Sequence, residues 1–219
     1  MQMQKPWVQV AIDATSMERG KELATLARRA GADWIEAGTP LIYYESIRSI
    51  GELVKVSGDV PVVADYKAQD GVYKYFAEAA RLGAKVATIL AVVNDGSIRE
   101  AIKAGKENGI AVCVDLFSVK LEHIAQRAKE VEAMGADYVM LHLGFDESRH
   151  FPARKNTDGL LEVLAAVNIP VGVGTFDTED AIAAVRMGAS YVVQGEPMLS
   201  SPEGEQQLSE FIRAVKAAV

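Results

Sequence analysis

The sequence predicts a single α/β domain, a (β/α)8 TIM barrel, on three observations. Its 219 residues match the usual length of one such barrel, and 49% of them are hydrophobic, which suffices for a large core. Short apolar runs alternate with segments of helical periodicity along the whole chain. The dipeptide Gly-Ala recurs between a predicted helix and the next predicted strand, at the near-equal spacing of residues 31, 83, 135 and 188. Four similar quarters of two strand–helix units each are typical of a closed barrel.

The predicted strands are short runs rich in Val, Ile and Ala, as expected for parallel strands buried on both faces. They cover residues 8–13, 33–37, 60–65, 86–90, 110–115, 138–142, 170–173 and 191–194. A doubly wound open sheet is the alternative architecture, but it usually has fewer strands. Because the chain shows no linker, one barrel domain is expected over residues 1–219.

The predicted helices follow the strands in turn. Ser16 or Thr15 is placed to cap the first helix, and Gly31 is placed to end it. Ser97 precedes Glu100 at the spacing of a capping box. The helices are expected over residues 17–30, 44–56, 72–82, 97–108, 121–134, 157–167, 178–187 and 204–218, with a polar loop over residues 144–156.

Composition excludes several classes of function. The formal net charge is −7 and no Lys/Arg-rich run is present, so nucleic acid is not expected as a partner. The sequence contains no run of about 18 apolar residues, so no membrane span is predicted. Residues 1–6 lack the features of a signal peptide. A cytoplasmic location is therefore expected. The single cysteine, Cys113, lies in an apolar run and is expected in the core.

Polar residues follow the strands at the edge where the loops of a barrel carry its chemistry. Carboxylates that meet there would repel one another unless cations offset their charge. Lys67 offsets one charge, and a divalent ion would offset two more. Oxygen ligands favour Mg²⁺, with Glu36 and Asp65 on adjacent strands as the expected ligands. The polar residues at the strand ends are Asp13, Glu36, Asp65, Lys67, Asp70, Asp115 and His142.

A metal held in this way suits polarisation of a carbonyl group and stabilisation of an enediolate. His142 is then a candidate acid/base, because its ordinary pKa lies near neutrality. The three histidines lack the spacing of zinc ligands, and His123 and His150 are assigned no role. For each carboxylate taken by itself, a paired structural acid remains the alternative.

A phosphate group is commonly held after strands seven and eight of a barrel, by backbone amides and a helix N-terminus. Gly174, Thr175 and Gly195 are the expected substrate-binding residues there, since glycine permits close approach and Thr175 has a hydroxyl group to donate. Asp177 and Glu196 would repel a dianion if they pointed inward. The loop at residues 145–156 carries Arg149, Arg154 and Lys155 as possible replacement cations, but we interpret it as a solvated loop.

Three motifs stand at the ends of the first three predicted strands: Ala11-Ile-Asp13, Glu36-Ala-Gly-Thr-Pro-Leu-Ile42 and Asp65-Tyr-Lys67-Ala-Gln-Asp70. Together they resemble the orotidine 5′-monophosphate decarboxylase superfamily. More closely, the chain resembles the branch of 3-hexulose-6-phosphate synthase and 3-keto-L-gulonate-6-phosphate decarboxylase, over nearly its whole length. The orotidylate decarboxylases carry a lysine where this chain has Glu36, so their activity is not expected.

The resemblance implies specific roles for these residues. It implies Mg²⁺ bound by Glu36 and Asp65, with Asp13 and Lys67 at the substrate and its enediolate. It also implies a homodimer with shared active sites, in which Asp70 reaches the site of the partner subunit. His142 matches the histidine of the sixth strand in this branch.

The segment after strand six distinguishes the two activities of the branch. The decarboxylases carry His-x-x-Arg, whereas His142-Leu-Gly-Phe-Asp146 is similar to the synthase pattern His-x-Gly-x-Asp. The resemblance therefore implies an aldolase that joins formaldehyde to the sugar phosphate D-ribulose 5-phosphate. A decarboxylase of the sister type and a non-catalytic sugar-phosphate-binding barrel remain the alternatives. The family pattern has a glycine where this chain has Thr175, and a glycine or arginine where it has Glu196. These differences leave the placement of the phosphate open.

Overall fold

A closed barrel of parallel strands forms the centre of the protein in a computed structural model that describes residues 6–219. The strands follow one another around the barrel in chain order, and the last pairs with the first. The predicted fold class is confirmed. The strands are β1 Trp7–Ile12, β2 Trp34–Ala37, β3 Val62–Ala68, β4 Val86–Leu90, β5 Ala111–Asp115, β6 Tyr138–Leu141, β7 Val171–Thr175 and β8 Tyr191–Gln194.

Helices surround the barrel and cover its apolar outer face. They are α1 Met17–Ala30, α2 Thr39–Glu45, α3 Arg48–Ser57, α4 Val72–Arg81, α5 Asp95–Asn108, α6 Leu121–Met134, α7 Phe145–His150, α8 Leu160–Ala166, α9 Thr178–Met187 and α10 Gly204–Lys216. None of the helices within residues 6–219 is long and apolar enough to cross a membrane. The expectation of no signal peptide falls almost wholly on residues 1–5, outside the described part of the chain.

Several predicted element bounds are wrong. The helix predicted over residues 44–56 is two helices, α2 and α3, because Pro40 starts a helix early and Ser46 (φ 67°) breaks it. The loop predicted over residues 144–156 contains the short helix α7. Ser16 caps α1 as predicted, but α5 is capped by Asn94, whose side chain accepts from the Ser97 backbone N–H.

The repeated glycines end helices as expected. Gly31, Gly83, Gly135 and Gly188 all have φ between 96° and 114°, the left-handed region in which a side chain is strained. The alanine that follows each of them is buried and leads into the next strand. The quarter repeat of the sequence is therefore a repeat of helix endings around the barrel.

An irregularity in β3 shapes the carboxyl end of the barrel. The pairing register with β4 shifts between Ala64 and Ala68, and Lys67 takes a left-handed conformation (φ 44°) that is unusual for a residue with a side chain. The Lys67 backbone N–H donates to the Thr88 hydroxyl at 2.9 Å, which holds this conformation. Such local strain is typical of functional sites.

Aromatic rings close the opposite end of the barrel. Trp7 and Trp34 stack at 5.7 Å between ring centroids, and Tyr138 and Tyr191 pack against them. A Cβ atom at Gly172 would lie 2.1 Å from the Tyr191 ring, so glycine is required to make room for it. This packing fills the amino-terminal end of the barrel.

Candidate active site

A cavity of about 900 Å³ lies at the carboxyl end of the barrel. Nearly all of the predicted site residues line it, whereas Asp70 is exposed and does not line it. The structure therefore brings the predicted metal ligands, acid/base and anion-binding residues to one place. These residues are Asp13, Glu36, Asp65, Lys67, His142, Gly174, Thr175 and Gly195.

Asp65 is the centre of a hydrogen-bond network in which every partner donates. The Thr39 hydroxyl lies 2.6 Å from Oδ2, the Thr88 hydroxyl lies 2.8 Å from Oδ1, and the Lys67 ammonium pairs with Oδ2. Burial by itself would raise the pKa of Asp65, but the charge of Lys67 and these hydrogen bonds outweigh it and hold the pKa below its ordinary value. Asp65 is therefore ionised near neutral pH.

Lys67 is the cation of the cluster. Its Nζ also donates to the Thr39 hydroxyl at 3.1 Å. Burial by itself would lower the pKa of Lys67, but the negative charges of Asp65, Asp115 and Glu36 outweigh it and raise the pKa. Lys67 thus stays protonated and presents a fixed positive charge to the cavity.

Glu36 is buried on the adjacent strand with little compensation. The Gln9 side-chain amide donates a hydrogen bond to Oε2, and Glu36 is only 5% exposed. Burial and the neighbouring charge of Asp65 raise the pKa of Glu36 well above its ordinary value. An ionised Glu36 is therefore unfavourable unless a further cation is present.

Asp13 lies at the end of β1 beside the same cluster. Burial, followed by the charge of Asp65, raises its pKa from 3.8 to about 6. A Cβ atom at position 38 would lie 2.1 Å from Asp13 Oδ1, so Gly38 is required to leave space for this carboxyl group.

The raised pKa of Asp13 predicts a loss of stability with rising pH in the metal-free protein. The folded state binds the proton more tightly than the unfolded state, so this stability is full below pH 3.8 and is lost as the pH rises through 6. Between pH 4.5 and 7.5, this group should lower the free energy of unfolding of the wild type by about 2 kcal/mol. We expect Asp13→Asn to lack this decrease. Urea unfolding of both proteins in EDTA at the two pH values measures the difference. A constant gap between the two proteins would contradict the prediction.

His142 is oriented by a buried carboxylate. Its Nδ1 lies 2.9 Å from Asp115 Oδ2, and Asp115 is fully buried at the end of β5. The other carboxylate oxygen accepts from the Phe117 backbone N–H at 2.9 Å, which fixes the rotation of the group. Because a carboxylate oxygen accepts, Nδ1 carries the proton and neutral His142 keeps an unprotonated Nε2. His142 is thus arranged as a general base.

The charges at this end of the barrel fit a divalent cation. Asp13, Glu36 and Asp65 lie near the ammonium group of Lys67, and burial, followed by the charge of Asp65, raises the pKa of Glu36 and that of Asp13. No three or more His, Cys, Asp or Glu side chains among the described residues are grouped closely enough to hold a metal ion. Glu36 and Asp65 offer a two-carboxylate site of the kind that Mg²⁺ accepts when water or substrate supplies the other ligands.

The far side of the cavity differs from the anion site expected there. The Thr175 hydroxyl donates within the barrel, to the Val193 carbonyl at 3.1 Å or the Gln194 side-chain oxygen at 3.3 Å. Asp177 caps α9 by accepting from the Asp180 backbone N–H at 2.9 Å, and it does not line the cavity. Glu196, in contrast, lines the cavity.

Comparison with known proteins agrees with this geometry. Residues 6–211 match the sequence profile described as the orotidine 5′-phosphate decarboxylase / HUMPS family. The chain belongs to this family. The membership predicted from the three motifs is confirmed.

Proteins similar to this chain include two named 3-hexulose-6-phosphate synthases above 30% identity and a more distant structure that shares the fold. The 3-hexulose-6-phosphate synthase of Staphylococcus aureus is 37% identical over 139 residues, 64% of this chain and 65% of the relative's length. A crystal structure of 3-hexulose-6-phosphate synthase is 32% identical, covers 98% of this chain and all of its own, and has a TM-score of 0.86. The 3-keto-L-gulonate-6-phosphate decarboxylase of Vibrio cholerae shares the fold at 20% identity and a TM-score of 0.83, covering 99% of this chain and all of its own.

Sequence reasoning missed residues that support this family site. Gln9 and Thr88 are polar residues inside otherwise apolar strands. A polar residue at such a buried position indicates a hydrogen-bonding role, and this was the signal in the sequence that could have identified them. Thr39 lies within the motif that begins at Glu36, but its hydrogen bonds to Asp65 and Lys67 depend on the barrel geometry. Asp115 was placed at a strand end, and its pairing with His142 joins strands that are 27 residues apart in the chain.

Proposed function

We propose that the protein is a Mg²⁺-dependent aldolase that joins formaldehyde to D-ribulose 5-phosphate through an enediolate, as a 3-hexulose-6-phosphate synthase. One observation carries the proposal: a histidine held as a base by Asp115 faces the same cavity as the cluster of Glu36, Asp65 and Lys67. The family membership and the names of the two relatives above 30% identity support it.

The proposed reaction needs a base and a way to stabilise negative charge. His142 Nε2 takes a proton from the sugar carbon next to the carbonyl group, which leaves an enediolate. That carbon then forms a bond to formaldehyde, and the oxygen of the former aldehyde takes up a proton, which protonated His142 can supply. Asp115 stabilises the imidazolium between these two steps, as a buried carboxylate does.

The remaining residues bind and orient the sugar. Lys67 presents its ammonium group to the oxyanion that develops on the sugar. Mg²⁺, when held by Glu36 and Asp65, would polarise the carbonyl group and favour the enediolate. Asp13, with a pKa of about 6, exchanges its proton near neutral pH and is placed to accept a hydrogen bond from a sugar hydroxyl group.

Formaldehyde consumption with D-ribulose 5-phosphate tests the activity. We expect turnover that EDTA abolishes and added Mg²⁺ restores, and that is lost in His142→Gln. Release of CO₂ from 3-keto-L-gulonate 6-phosphate without formaldehyde consumption would assign the sister activity instead. Binding of either sugar phosphate without turnover would make the protein a non-catalytic sugar-phosphate-binding barrel.

We further propose a cytoplasmic homodimer with shared active sites. Asp70 follows the strand that carries Asp65 and Lys67, yet it is exposed outside the cavity, which supports a role in a partner's site. Tyr43 and Tyr44 are 79% and 70% exposed on α2, as expected for residues that a second subunit covers. Mixing inactive Asp70→Ala and Lys67→Ala subunits should restore part of the activity if the sites are shared, and no activity if they are not.

A further inference from the structure

The residues after β7 and β8 place carboxylates where an anion would be expected to bind. Glu196 lines the cavity, and its carboxylate accepts from the Ser200 backbone N–H at 3.1 Å, at the 3₁₀ turn Met198–Ser200. Asp177 caps α9, where its carboxylate accepts from the Asp180 backbone N–H. The backbone amides that usually hold a phosphate in a barrel are thus partly occupied by the chain's own carboxylates. A phosphorylated substrate needs a cation from elsewhere.

Arg149 is positioned to supply that cation. Of the Lys and Arg side chains in residues 6–219, only those of Lys67 and Arg149 line the cavity. Lys67 is engaged by Asp65, whereas no carboxylate within the described chain forms an ion pair with Arg149. Arg154 in the same segment is different, because its guanidinium pairs with Glu147 at 2.9 Å and Asp158 at 3.1 Å.

Ring contacts fix where the guanidinium group lies. The Arg149 guanidinium carbon is 4.2 Å from the centroid of the Phe145 ring, a cation–π contact. Phe145 in turn meets the Phe176 ring edge-on, at 6.4 Å between centroids, just after β7. The stack therefore places Arg149 at the β6–β7 side of the cavity. Strands β2 and β3, which carry Glu36 and Asp65, lie across the barrel.

We propose that Arg149 binds the distal phosphate of the sugar substrate and thereby selects phosphorylated over unphosphorylated ketoses. The proposal rests on the proposed function for the reacting end of the sugar, which Glu36, Asp65 and His142 would hold. A guanidinium group matches a phosphate with two parallel hydrogen bonds, and within residues 6–219 Arg149 has no carboxylate partner to give up on binding. Glu196 lines the same cavity and would repel a phosphate dianion. Binding of the phosphate would therefore depend on the positive charge of Arg149.

Binding and kinetics of matched variants test the role of Arg149. We expect Arg149→Met to weaken the binding of inorganic phosphate and to raise KM for D-ribulose 5-phosphate by roughly 10–100-fold. D-ribulose, which lacks the phosphate, should bind wild type and variant equally. Arg149→Lys should recover part of the affinity, because it keeps the charge but loses the paired geometry. Glu196→Gln should tighten phosphate binding.

Arg154→Met is the matched control, since it removes one positive charge from the same segment without touching the cavity lining. An equal loss of phosphate binding in Arg154→Met and Arg149→Met would overturn the proposal in favour of a general charge effect. Unchanged phosphate binding in Arg149→Met, with its melting temperature intact, would also overturn it. Phosphate binding is measured by calorimetry without turnover, so absence of aldolase activity would refute the proposed function and leave this test valid.

Discussion

Asp65→Asn and Glu36→Gln are both expected to abolish the Mg²⁺-dependent activity, yet to shift the melting temperature in opposite directions. Both variants remove one of the two proposed metal ligands, so activity should fall about 1000-fold or more, because a bound metal contributes several kcal/mol to charge stabilisation. The difference in stability follows from the surroundings of each carboxylate. The pKa of Asp65 is held low in the fold, whereas that of Glu36 is raised.

An amide at position 65 has no acceptable orientation. The Thr88 hydroxyl accepts from the Lys67 backbone N–H and donates its own proton to Asp65 Oδ1. On the other side, the Lys67 ammonium group and the Thr39 hydroxyl both donate. In either orientation of the Asn side chain, its amide nitrogen, which is a donor, would face another hydrogen-bond donor. Breaking such a pair costs about 3 kcal/mol, which lowers the melting temperature by roughly 6–12 °C in a chain of this size.

An amide at position 36 removes a charge that the fold disfavours. The Gln9 amide still finds a carbonyl oxygen to donate to, and the repulsion between positions 36 and 65 disappears. We expect the melting temperature in EDTA to rise by a few degrees, a gain of stability at the expense of function.

Thermal unfolding with EDTA and with Mg²⁺ measures both effects. Wild type should gain stability as Mg²⁺ is added, since a ligand that binds only the folded state stabilises it. Neither variant should respond. A melting temperature that falls in Glu36→Gln, or a Mg²⁺ response that persists in either variant, would contradict the assigned metal site.

Asp115→Asn is expected to lower kcat by roughly 100- to 10,000-fold with little change in KM, through the tautomer of His142. The Phe117 backbone N–H requires an acceptor, so the Asn oxygen takes the place of Asp115 Oδ1. The amide nitrogen then faces His142 Nδ1 and donates to it. The imidazole proton moves to Nε2, and the base that faces the sugar is lost.

Nitrogen NMR of the His142 ring detects this change directly, because the two tautomers have different shifts at the two ring nitrogens. His142→Gln is the comparison variant, and Asp115→Asn combined with it should cost no more activity than His142→Gln does. An additive loss in the double variant, or an unchanged tautomer in Asp115→Asn, would show that Asp115 acts in some other way.

The barrel, and the convergence of the candidate site residues on one cavity, were largely predictable because both follow from local patterns. Buried parallel strands are continuous apolar runs, and the polar residues that follow or end them, such as Asp115 and His142, mark the strand ends. The register of a closed barrel then brings those ends together. The division of the predicted second helix into α2 and α3 was harder to predict, since helical periodicity continues across Ser46.

The rest of the site depends on contacts between distant parts of the chain. No local pattern shows that Thr88 is committed as a donor to Asp65, or that Gln9 holds Glu36. The segment around Arg149 was interpreted as solvated because its charges resemble those of a surface loop. Its place on the cavity follows from the contact of Phe145 with Phe176, which only the folded chain provides.

The aromatic packing at the amino-terminal end of the barrel has a consequence for spectroscopy. Trp7 and Trp34 are the only two tryptophans of the sequence, and they stack on each other with their planes 15° apart. Both emit from the end of the barrel opposite to the cavity. We therefore expect their fluorescence to report closure of the barrel between β1 and β2, and to change little when a ligand binds in the cavity, which neither of them lines. Intrinsic emission is a suitable signal for unfolding of this protein, whereas titrations with sugar phosphates or Mg²⁺ need calorimetry or an added probe.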